Sequence, residues 1–259
     1  MIFLFDFFSL LLALFLIPQM LFASLQDSLA EIKKELTTNE IYVNSAPQQM
    51  QIYSDANAQY AGLLADILGA DIKRLGEIKS AKLTGSIYAS SAPQEQANNN
   101  EAFAAYLESL AKALDPNNED ISTTASTLSR SEIYASSALQ QCAARTLAGF
   151  RFLKVIAEAS GVSSETISSI DSEMTRSDIY STSAYHQNSN YSKATTKLLK
   201  ELATNFGADS SELSSIMSNM ATREVYMNSA LQQIALYEST SSKIFYLLIE
   251  TIIKNNTIG

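Results

Sequence analysis

The chain has one cysteine, one histidine and no tryptophan in 259 residues, and glycine and proline are scarce at eight and four. A lone Cys142 excludes an intrachain disulfide, and Cys142 with His186 is too small an inventory for a His/Cys metal cluster. Acid–base chemistry by imidazole would rest on His186 alone, with no Ser–His or Cys–His constellation beside it. Positive charge is also sparse: 18 Lys and Arg face 27 Asp and Glu, a formal net charge of −9. Lys33 and Lys34 are adjacent but make no patch. That balance argues against nucleic acid and anionic membrane surfaces as partners, because both require clustered cations. Carboxylates are plentiful but scattered, and no cofactor is implied. What remains is 46% hydrophobic and 17% charged residues, the profile of a folded helical chain long enough for a sizeable core.

Residues 2–23 are nearly all apolar, with a dense run from Phe7 to Ile17, a break at Pro18 and a small residue, Ala23, before Ser24. This reads as a cleaved secretory leader, placing the protein outside the cell. Asp6 and the lack of Lys or Arg before the run fit that reading poorly. The alternatives are an uncleaved membrane anchor over residues 2–23, since about 20 apolar residues can span a bilayer, or a buried core helix. A membrane partner is expected only if the segment is retained.

Self-similarity dominates the rest. Tyr42, Tyr88, Tyr134, Tyr180 and Tyr226 stand 46 residues apart, each preceded by Ile or Val and followed by a block ending Ser-Ala-x-Gln (His186 for Gln in the fourth). A fixed period of this size indicates an array. Ser45, Ser91, Ser137 and Ser229 precede Gln48, Gln94, Gln140 and Gln232 by three residues, a capping-box spacing that starts a helix at each serine. Pro47 and Pro93 then fall in a first helical turn, where a missing N–H costs least. The alternative is a helix begun further back, near Ser131 or Ser177, and kinked by proline in the first two units. From each serine a long helix, A, runs to Gly69, Asp115-Pro116, Gly161 or Gly207. A shorter helix, B, follows, with stripes such as Leu75/Ile78 and Ile167/Ile170/Met174 at spacings of three and four. Leu29, Ile32 and Leu36 extend that register backwards, so the unit is B-then-A.

The expected fold is therefore all-α, five tandem helix-pair units of 46 residues forming an α-solenoid or an α/α toroid. A leader (1–23) would precede one repeat domain (24–259), with units at about 24–69, 70–115, 116–161, 162–207 and 208–259. The tyrosine column is expected to be chiefly structural, each ring packed between units with its hydroxyl bonded; the rival reading is a recognition stripe. Gln49, Gln141, Gln187 and Gln233, with Glu95 in unit two, are expected to form an inter-repeat hydrogen-bond ladder or else a polar binding face. Cys142 is read as a buried, inert thiol and His186 as a capping variant. Asn190-Tyr-Ser and Asn255-Asn-Thr match the glycosylation acceptor pattern. Functionally the sequence points to a secreted, non-enzymatic interaction or self-assembling module. The alternatives are a carrier of lipid or small apolar ligands and a carboxylate-dependent hydrolase in a helical toroid.

Overall fold

A computed structural model describes the backbone of residues 19–257 and the side chains of residues 24–256. It contains ten helices and, among the described residues, no strand. In chain order they are α1 Gln19–Glu40, α2 Ala46–Ile67, α3 Ile72–Tyr88, α4 Ala92–Leu114, α5 Glu119–Tyr134, α6 Ala138–Ala159, α7 Ser164–Asp178, α8 Ala184–Asn205, α9 Ser210–Glu224 and α10 Ala230–Thr257. The odd-numbered helices are the B helices and the even-numbered ones the A helices. The apolar leader up to Pro18 lies outside the described residues, and α1 runs without a break through Ala23–Ser24. No helix among the described residues is long and apolar enough to cross a membrane.

The local signals act as their chemistry requires. Ser45, Ser91, Ser137 and Ser183 are extended N-cap residues of separate helices, so no A helix begins further back. The glutamine of the box reaches one residue beyond the cap. Gln48, Gln94, Gln140 and Gln232 accept the backbone N–H of Asn44, Ser90, Ser136 and Asn228 at 2.7–3.2 Å. The hydroxyls of Ser137, Ser183 and Ser229 accept the N3 N–H, whereas Ser45 and Ser91, before the prolines, make no such bond. Gly69, Gly161 and Gly207 end their helices at φ +84°, +96° and +85°, a conformation that disfavours any side chain. Asp71, Asn118, Ser163 and Asp209 then cap the B helices.

Each B helix packs on the A helix that follows it. The A helices pack on one another in chain order, and α10 also packs on α2 and α1. Hydrogen bonds about one period apart hold neighbouring A helices parallel and in register. Arg145 Nη1 donates to the Ala97 carbonyl near their N-termini, and Asn205 Nδ2 to the Ser160 carbonyl near their C-termini. Hence every B-to-A turn lies at one end of the molecule and every A-to-B turn at the other. One core of aliphatic and aromatic side chains runs through all units. Ala65, Ala111, Ala157, Ala203 and Ile249 are fully buried at one equivalent position, where small residues admit close helix approach. The apolar stretch Ile244–Ile253 is covered by the chain itself, with Phe245, Leu248 and Ile249 fully buried.

Candidate interaction surface

The end that carries the B-to-A turns is unlike the rest of the surface. Tyr42, Tyr88, Tyr134, Tyr180 and Tyr226 are 74–80% exposed, and the preceding Ile41, Ile87, Ile133, Ile179 and Val225 are 72–80% exposed. Among the described residues, the other exposed large hydrophobics are Ile72 and Leu83. The expectation that the tyrosines pack between units is overturned: the turn projects both side chains outward, and the A-helix interface below it is already filled.

What holds the turns in this form is a tie that recurs thirteen residues on. The residue before each Ile/Val–Tyr pair bonds to the second turn of the next A helix. Tyr53 Oη donates to Glu40, Arg145 Nε to Glu132, Tyr191 Oη to Asp178 and Tyr237 Oη to Glu224, at 2.6–2.9 Å. Unit two keeps the tie with other groups: Ser86 accepts from Asn98 Nδ2 at 3.0 Å and donates to Glu95 at 2.6 Å. Burial raises the tyrosine hydroxyls of Tyr191 and Tyr237 well above their ordinary range, and their carboxylate acceptors raise them further. Burial would also raise Glu224, but hydrogen bonds from Lys193 and Tyr237 outweigh it and hold that carboxyl low. The turns are thus preorganised, so little order would have to be gained on binding.

Beneath the turns the A helices enclose a polar layer. Ser54, Asn100, Thr146, Ser192 and Glu238 occupy one repeat position and are all buried. With Asn57, Phe103, Thr195 and Ser241 they line a small cavity between all five A helices. The Glu238 carboxyl accepts from Asn57 Nδ2 at 2.6 Å and Ser192 Oγ at 3.0 Å. Burial pushes it above the usual carboxylate range, against the lowering effect of those two donors. Inter-unit hydrogen bonding runs at this depth, as in Asn99 to Ser54 and Asn100 to Thr146. The expected glutamine ladder lies a turn higher and supplies one such bond, Ser189 to Gln233 at 3.1 Å. Gln49, Gln141 and Gln187 are half-buried, as is Glu95, whose carboxylate serves the turn tie.

The remaining candidates fall into place individually. Cys142 is fully buried and burial pushes its thiol up to about 12. His186 stands in the capping position, its Nδ1 3.0 Å from Ser183 Oγ. Asn190 lies mid-surface in α8, donating to Ser181, and its sequon serine, Ser192, is buried against Glu238. An acceptor site needs an accessible Asn-x-Ser/Thr segment, so Asn190 is corrected to a structural residue. Asn255 is exposed in the last turn of α10. Among the described residues no three His, Cys, Asp or Glu stand together to hold a metal. A groove of about 830 Å³ between α1 and α3 is open and lined by opposite charges, including Glu31, Glu35, Asp66 and Lys79 beside Ile32 and Leu75.

No family model, curated protein or solved structure matches this chain.

Proposed function

We propose that the chain is a non-enzymatic interaction module: a closed α/α ring of five 46-residue helix pairs that presents five copies of one apolar prong at one end. The observation that carries this reading is the exposure of all five Ile/Val–Tyr pairs, since exposed apolar clusters of this kind mark interaction sites. A second feature supports it. Some equivalent buried positions differ among the units, as in Met50, Gln96, Cys142, Asn188 and Ile234, while others stay alike, as in Leu64, Leu110, Ile156, Leu202 and Leu248. The exposed Ile/Val–Tyr positions also stay alike. Duplication alone would let solvent-facing positions drift, yet the tips stay as alike as the best-kept packed columns. The leader over residues 2–23, read as a secretion signal, would deliver the module outside the cell.

The ring reading draws on the in-register bonds between neighbouring A helices and on the contacts of α10 with α2. Asn57 bonds Glu238 and Ser242 across that junction, about four periods away in sequence. The test of function is a chain with all five tyrosines changed to serine. Because exposed substitutions of this kind change stability little, its melting temperature should stay within about 3 °C of the native value, while retention on a phenyl-bearing matrix falls. A fall in melting temperature of more than about 10 °C would return the tyrosines to a packing role and remove the proposal.

A further inference from the structure

We infer that the surface met by the five prongs is the interface of a lipid bilayer. The inference rests on the reading of this end as a docking surface and names its occupant. The prongs are chemically alike and occupy equivalent turns at one end of five parallel, in-register helices. An asymmetric protein partner would meet each unit differently, and nothing would keep the units alike. A laterally uniform surface meets all five in the same way.

The chemistry of each prong fits that surface. Ile or Val supplies an aliphatic group for the acyl boundary, and the adjacent tyrosine has an apolar ring with a polar tip suited to headgroup depth. Five tyrosine side chains of about 150–250 Å² each, exposed by about three quarters, present on the order of 600–900 Å². That is comparable to one partner's share of a standard interface, about 800 Å².

Exposed cations stand beside three of the prongs. At the prong end Glu40, Glu132, Asp178 and Glu224 are engaged by hydrogen bonds from the following A helix, while Arg130, Arg176 and Arg223 are exposed within four residues of a prong tyrosine. The opposite end carries Asp71, Asp115, Glu119, Asp120, Asp209 and Glu212 at its turns and helix starts, with Lys73, Arg74 and Lys112 among them. Arg145 and Lys193 pair with Glu132 and Glu224, and the three exposed arginines offset Glu40 and Asp178, so the net charge of −9 is not concentrated at the prong end. A second copy docked prong to prong would bring the three arginines of each ring towards those of the other, which disfavours that occupant.

The test exploits the absence of tryptophan. Tyr134→Trp places a single reporter on a prong, and Ile72→Trp places one on an exposed residue at the other end. Both are made in the full chain and mixed with phosphatidylcholine vesicles, with and without phosphatidylglycerol. The Trp at position 134 should shift to the blue and be quenched by lipids brominated near the headgroup, and the Trp at position 72 should do neither. Changing the other four prong tyrosines to serine should weaken vesicle partition at least about tenfold, because interfacial binding scales with buried apolar area. Phosphatidylglycerol should strengthen it a few fold. An unchanged spectrum at position 134 on vesicles overturns the lipid inference. If that spectrum instead shifts with protein concentration alone, the occupant is a second copy and the interaction module stands. If neither lipid nor concentration moves it, while the native chain also shows no prong-dependent retention, the interaction module falls as well.

Discussion

Glu238→Gln removes an ionisable group from the centre of the proposed ring while keeping the side chain's length and its two hydrogen-bond partners. In the native chain both donors to the carboxylate, Asn57 and Ser192, are neutral. A hydrogen bond to a charged group contributes about 1.5–3 kcal/mol, whereas the effective penalty for burying an ion is several kcal/mol. The raised Glu238 pKa, driven by burial, shows which term wins. In the variant the amide oxygen can still accept from Asn57, and the amide nitrogen can donate to Ser192 Oγ. Replacing a buried ion pair by uncharged residues of similar volume ranges from neutral to a gain of about 1–4 kcal/mol, and the lone carboxyl of Glu238 is placed within that range. A gain of about 2 kcal/mol corresponds to a rise in melting temperature of about 4–8 °C for a chain of this size.

The pH dependence separates this account from a generic stabilisation. A carboxyl whose folded pKa lies above its unfolded value binds its proton more tightly in the folded state. Its contribution is fully present below the unfolded pKa, about 4.3, and is lost as pH rises through the folded pKa. The native chain therefore loses this share of stability towards neutral pH, and the glutamine variant does not. Thermal unfolding followed by circular dichroism from about pH 4 to pH 8 should show a variant-minus-native difference that is small at the acid end and grows to a plateau. Other carboxyls, including the raised Asp66 and Glu158, cancel in that difference. A variant that melts below the native chain at pH 8, or a difference that does not change with pH, would refute the reasoning.

Gly149→Ala should lower the urea midpoint, because the added Cβ would stand 2.7 Å from the Phe103 ring; overpacking costs about 1–3 kcal/mol, offset by about 1 kcal/mol of helix propensity, and Phe103→Leu in the same chain should recover the loss. Tyr191→Phe takes the donor from Asp178 and should cost about 1–2 kcal/mol, with faster amide exchange confined to the turn that carries Tyr180. Cys142 should react with a thiol reagent at least about a hundredfold more slowly in the native chain than in denaturant, since reactivity follows thiolate population and access.

Features whose cause lies within one helical turn were legible in the sequence. The serine caps, the left-handed Gly69, Gly161 and Gly207, and the B-helix stripes depend on neighbours three or four residues away, and the structure shows each of them. The exposure of the tyrosines is decided by a tertiary tie, which local spacing does not reveal. An apolar pair in a short turn ordinarily tucks beneath the helix start, and here the bond from Tyr53, Arg145, Tyr191 or Tyr237 sets the turn instead. A signal was present, since Glu40/Tyr53, Glu132/Arg145, Asp178/Tyr191 and Glu224/Tyr237 recur at a separation of thirteen. Glu238 was visible as a lone charge in a column otherwise holding Ser54, Asn100, Thr146 and Ser192. Its partner Asn57 was not, because that contact exists only where α10 meets α2.

The same junction gives a physical reason for the units to differ inside while agreeing outside. Five identical side chains turned towards the small cavity between the A helices either leave a hole or collide, because interiors must reach crystal-like packing density. Unlike residues solve this by filling each other's space. At the level of Asn57 the equivalent residues are Phe103, Gly149, Thr195 and Ser241, and the Phe103 ring occupies the room that Gly149 leaves. One level deeper Ala61, Leu107, Leu153, Leu199 and Phe245 are all buried, with Phe245 meeting Phe103 edge-on at 6.1 Å and stacking on Tyr60 at 6.4 Å. Packing therefore drives these central positions away from repetition, while columns such as Ala65, Ala111, Ala157 and Ala203 keep it, and it places no demand of either kind on the turn tips. The proposed interface would supply the constraint that packing does not place on the tips.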